Sequence, residues 1–209
     1  MTLLMSNIFQ ITISPNEGLE IIYTQAMEDL NDFFQIKWVR NKPRVCVVPD
    51  RVTIDALRDQ ETPKWLVGWD SDNFVFVLSK SSFETDSSHP YTDEDYKMLI
   101  KHELAHAYFR VATGGRTQPK WLWEGVSIFA SGQVERWKKP EAFRTFLDNS
   151  DVYTEAGYAM SLLSTKFGKE KLLQLLKGYK TFSGDFSNLF RDVYQLELNY
   201  DTFNSLIQK

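Results

Sequence analysis

The spacing of hydrophobic residues changes character along this chain. Between Pro15 and Asp32, and just beyond, Leu19, Ile22, Tyr23, Met27, Leu30, Phe33 and Phe34 recur at helical intervals, which predicts an N-terminal packing helix. Shorter runs follow. Arg44–Val48 is β-branched and closed by Pro49-Asp50, so it reads as a strand and turn, and Asp50–Arg58 suits a short helix. Phe74–Leu78, inside Asn73–Ser79, is the clearest strand, preceded by Gly68 and the turn-forming Asp70-Ser71-Asp72-Asn73. Ile8–Ser14 alternates loosely and reads as an opening strand.

A polar stretch, Ser79–Pro90, separates this portion from the remainder. Beyond Tyr91 the pattern is helical throughout: Thr92–Thr113, Pro119–Ser131, Glu141–Leu147, Tyr153–Phe167, Lys169–Tyr179 and Phe186–Tyr194. Breakers separate most of them, namely Gly114-Gly115, Gly132, Pro140, Gly168 and Ser183-Gly184-Asp185. The expected fold class is therefore α+β. A small N-terminal α/β lobe with a mixed sheet (residues 1–90) precedes a mainly helical lobe (residues 91–209), the two forming a single domain.

Composition narrows the function classes. With 209 residues, 43% hydrophobic and 14% aromatic, the chain can bury a substantial core. A net charge of −4 offers nothing to nucleic acid or an anionic membrane. No apolar run approaches the length of a membrane span, and Met1–Ile13 has neither the basic nor the apolar region of a signal peptide, so a soluble, cytoplasmic protein is expected. The single cysteine, Cys46, precludes an internal disulfide and a thiolate metal cluster, and reads as a small core residue.

Chemistry concentrates in His102-Glu103-Leu104-Ala105-His106, which holds two of the three histidines. Histidines four apart on a helix lie on one face and can both reach one ion. Glu103 sits about a hundred degrees round the helix from His102, where it can reach a water on the metal without binding the metal. Thr92-Asp93-Glu94-Asp95 opens the helix as a capping box, and Tyr96, Ile100, Leu104, Tyr108 and Val111 form an apolar stripe along it. A catalytic zinc needs a third protein ligand. Glu124 is the only carboxylate between Trp121 and Gly132, among tryptophans and aliphatics, where burial is costly unless a cation compensates it.

His102-Glu103-x-x-His106, seventeen residues, and then Glu124-Gly125 within a Trp-Leu-x-Glu-Gly phrase resembles the gluzincin zinc metallopeptidases, including thermolysin-like and aminopeptidase-like enzymes. The metzincin pattern fails, because Phe109 and Ala112 stand where its glycine and third histidine belong. The resemblance runs from about Tyr91 to Gly168. It implies a zincin-like, minimal thermolysin-like catalytic domain, one zinc per chain held by His102, His106 and Glu124, and a peptide or protein substrate. Glu103 would be general base, and a tyrosine at the start of the helix preceding Gly168, Tyr153, would stabilise the oxyanion. Tyr158, five residues on, is the alternative.

Two positions depart from the family. The substrate-anchoring glycines of aminopeptidases are not evident near Phe74–Leu78, and Ile128 stands where thermolysin-like enzymes carry a histidine-orienting aspartate. Phe74–Leu78 is expected to be the edge strand that receives an extended substrate, although its continuous apolar run equally suits a central strand. Two other functions stay open: a non-catalytic domain of the same fold, and a peptidase confined to one protein substrate.

Overall fold

The computed structural model describes residues 15–207. The expected opening strand at Ile8–Ser14 lies outside the described residues. The architecture is α+β, with a small mixed sheet and nine α-helices among the described residues. By compactness the chain falls into two units, Met1–Asp29 with Trp38–Leu104, and Leu30–Lys37 with Ala105–Lys209.

In the first unit, most of α1 (Glu17–Phe34) leads to β1 (Arg44–Val48), α2 (Arg51–Arg58), β2 (Gly68–Ser71), β3 (Phe74–Leu78) and α3 (Lys80–Asp86). Asp50 caps α2 by accepting from the Thr53 amide at 2.8 Å. Arg51 then ties down the approach to β2, its guanidinium donating to the carbonyls of Pro63, Lys64 and Leu66 and to Thr62 Oγ1. The strand order is β1-β3-β2, with β1 parallel and β2 antiparallel to β3.

Phe74–Leu78 is therefore the central strand, and the expectation of an edge strand there is wrong. Its Val75 and Val77 are fully buried, as suits a strand paired on both sides. The expectation of a simple turn at Asp70–Asn73 also fails in part. Trp69 pairs with Phe76 and stacks on it at 4.6 Å, so cross-strand aromatic packing extends β2 through Asp70 and Ser71 and leaves a two-residue turn at Asp72-Asn73. Cys46, opposite Phe76, is only half-buried rather than a core residue. Within the polar stretch 79–90, Ser79 caps α3 and Phe83 anchors it, a helix the hydrophobic pattern alone does not announce.

Helix α4 (Asp93–Thr113) begins as its capping signal predicts, with Thr92 Oγ1 accepting from the Asp95 amide at 3.0 Å. It ends at Gly114 and Gly115, whose φ angles of +69° and +90° belong to the left-handed region. Of the predicted stripe, Tyr96, Ile100, Leu104 and Tyr108 are buried, but Val111 is 42% exposed. Every residue from His102 to Phe109 is buried, so the middle of the helix is enclosed on all sides, and exposure returns only towards its two ends, where Val111 lies.

The second unit is helical: α5 (Lys120–Ser131), α6 (Val152–Phe167), α7 (Lys169–Thr181), α8 (Phe186–Tyr194) and α9 (Tyr200–Ile207) follow in order. Glycines let α5 and α6 approach closely. A Cβ on Gly125 would lie 2.7 Å from the Ala156 carbonyl oxygen, and one on Gly157 would lie 2.2 Å from Ile128 Cγ2. The helix expected at Glu141–Leu147 does not form; a short 3-10 turn covers only Phe146–Asp148. The Glu155 carboxylate accepts from the amides of Arg144, Thr145 and Phe146, which binds these donors outside any helical ladder. Among the described residues no helix is long and apolar enough to cross a membrane.

Candidate metal centre

His102 and His106 occupy successive turns of α4, and Glu124 occupies the second turn of α5. One donor atom from each lies within 4.8 Å of the other two. All three side chains are buried, with exposures of 7%, 4% and 5%. His106 Nε2 and Glu124 Oε2 are 3.5 Å apart, so both aim into the same space. Two imidazole nitrogens and one carboxylate oxygen converging in a buried site form a donor set that can hold a divalent metal ion. The third histidine, His89, lies elsewhere, its Nε2 3.0 Å from the Trp65 carbonyl oxygen.

Glu103, 6% exposed, follows His102 on α4 and lies against β2: a Cβ on Gly68 would sit 2.8 Å from Glu103 Oε1. Only glycine at 68 leaves this carboxylate its present room. Tyr153 projects from the first turn of α6 and donates its hydroxyl to Glu124 Oε1 at 3.2 Å. It is 38% exposed, and the Lys120 ammonium lies 5.4 Å from its ring centroid. Tyr158 goes elsewhere, lining a cavity of about 270 Å³ with Phe143, Leu162, Lys166 and Leu206. Of the two candidate tyrosines, Tyr153 is the one hydrogen-bonded to Glu124.

The start of α6 is fixed by two acids the motif reading did not single out. Asp151 caps it through Thr154, accepting from Oγ1 at 2.7 Å, and Glu155 gathers the three loop amides described above. Glu155 is 7% exposed, and a carboxylate in the first helical turn next to a polar loop was the available signal.

Around His106 lie two further α5 side chains. Trp123 packs against its ring at a tilt, centroids 4.3 Å apart, and Ser127 Oγ lies 2.8 Å from its Nδ1. Ile128 is fully buried against Gly157, and its side chain has no polar atom to offer a histidine. No family model matches this chain, and no curated protein and no solved structure matches it either.

Proposed function

We propose that the chain is a zinc-dependent peptidase of gluzincin type, built on a minimal zincin-like catalytic domain. The observation that carries this reading is the convergence of buried His102, His106 and Glu124, with Glu103 one residue after the first histidine. These three residues would hold one zinc ion per chain. Zinc bound there would supply Lewis acidity, polarising a carbonyl and making water more acidic near neutral pH.

The remaining work falls to the protein's own groups. Glu103 accepts the proton of the attacking water and returns it to the departing amine, since a buried carboxylate beside the first ligand can do both. The Tyr153 hydroxyl, already directed toward the Glu124 carboxylate, donates to the oxygen of the tetrahedral intermediate. With β3 enclosed in the sheet, the extended substrate backbone pairs along β2, which forms one margin of the sheet and carries Gly68 beside Glu103. The substrate is a peptide or protein.

Profiling on a peptide library tests this reading. Cleavage should depend on zinc, stop on chelation and return on zinc addition. Glu103→Gln should keep the metal but lose most hydrolysis, because the amide preserves shape and cannot accept the proton. A chain that binds zinc yet cleaves no peptide or protein would instead be a metal-binding domain without this activity.

A further inference from the structure

We propose that Ser127 is the positioning residue that selects which nitrogen of His106 faces the metal; this rests on the zinc reading above. Ser127 is fully buried in the middle of α5. Its Oγ donates to the Trp123 carbonyl at 3.0 Å and lies 2.8 Å from His106 Nδ1. A serine hydroxyl has one proton. With that proton spent on a carbonyl, which can only accept, Oγ has lone pairs alone to offer the imidazole. His106 Nδ1 then carries its proton and donates it to Oγ, and the Nε2 lone pair is left for the ion. Nε2 is the atom that lies 3.5 Å from Glu124 Oε2.

The ring cannot easily turn to exchange the two nitrogens. Trp123 packs against it at a 46° tilt with centroids 4.3 Å apart, one helical turn from Ser127 on the same face of α5. Serine thus does for His106 what a carboxylate or carbonyl usually does for a metal-bound histidine: it fixes the tautomer and the ring orientation. A neutral hydroxyl adds no negative charge behind the ligand. It also fits a position whose neighbours, Val126 and Ile128, are fully buried aliphatics.

Zinc affinity, measured by competition with a chromophoric chelator, tests the assignment. Ser127→Ala removes one oxygen without adding bulk and should weaken zinc binding about tenfold to a hundredfold. The 15N resonances of His106 should shift from a single Nδ1–H tautomer toward a mixture. Ser131→Ala is the control: this buried α5 serine donates to the Ile128 carbonyl at 3.0 Å, and its loss should leave zinc affinity unchanged. Unaltered affinity and tautomer in Ser127→Ala, while Glu124→Ala still loses zinc, would overturn the role of Ser127 and leave the metal reading intact. Equal weakening in both serine variants would overturn it too, by showing a general packing effect. A wild-type chain that binds no zinc would overturn both.

Discussion

The helix pair α5–α6 and the hairpin β2–β3 each use glycine to seat a carboxylate, but against different obstacles. At Gly125, directly after Glu124, an added Cβ would meet the main chain of α6, 2.7 Å from the Ala156 carbonyl oxygen. At Gly68 it would meet the end of a side chain, Glu103 Oε1, at 2.8 Å. A packed backbone cannot yield without separating two helices, whereas a carboxylate can turn about its χ angles. Glu124, a proposed ligand, is therefore held by the same packing that holds the second unit together. The proposed base has its room beside Gly68, and that room can be filled with little harm to the fold.

The largest effect should come from Gly125→Ala. Overpacking a closed interface costs about 1–3 kcal/mol or more, so the denaturant midpoint should fall well below wild type and zinc should be lost with it. A variant as stable as wild type would show that the α6 backbone gives way, and the contrast with the hairpin would disappear.

Tyr153→Phe should come next. Removing one oxyanion donor costs about a hundredfold or more in turnover, with KM little changed because the bond matters in the transition state. Tyr158→Phe, at the cavity lined by Phe143 and Leu206, should be mild. Steady-state kinetics on the pair would sharpen the account, and the reverse pattern would transfer the role to Tyr158.

Gly68→Ala should preserve fold and zinc but lower hydrolysis by about tenfold to a hundredfold, the scale of a misplaced reacting group. If it instead unfolds the protein while activity per folded molecule stays normal, the hairpin is no softer than the helix pair.

The smallest effect is electrostatic and belongs to the first unit. Burial pushes the Asp29 carboxyl up, but the Lys101 ammonium at 2.6 Å and the Gln25 amide outweigh it and hold the group below its ordinary value. A lowered folded-state value means stability that is present above the ordinary carboxylate range and is lost as pH falls through the folded value. Both partners are partly exposed, so the contribution should stay below about 1 kcal/mol. Asp29→Asn should flatten the acid side of the stability curve, read from urea midpoints between about pH 7 and about pH 3; an unchanged slope would remove the pair from the account.

The same contrast explains what could be read from the sequence. Within α4 the two histidines are recognisable by helical spacing and in α5 Glu124 stands out as the one carboxylate among tryptophans and aliphatics, and the structure brings the donor atoms of all three together. Sheet order has no such local signature. The five apolar residues of β3 look alike at an edge and at the centre, and what makes the strand central is β2, whose Gly68-Trp69-Asp70-Ser71 resembles a turn until Trp69 meets Phe76 across the ladder. Helix 141–147 fails for a similar reason, because its amides are claimed by Glu155 from the following helix. Ser127 was invisible for the opposite reason: a lone hydroxyl between buried aliphatics acquires meaning only when His106 is seen 2.8 Å away.

Metal content tests the central claim most directly. Purified protein, analysed by plasma mass spectrometry after zinc loading and desalting, should hold close to one zinc per chain. His102→Ala, His106→Ala and Glu124→Ala should each reduce that occupancy sharply while the fold persists by circular dichroism. Full occupancy in Glu124→Ala would contradict the proposed centre and move the third ligand elsewhere, Glu135 being the nearest carboxylate downstream in the chain.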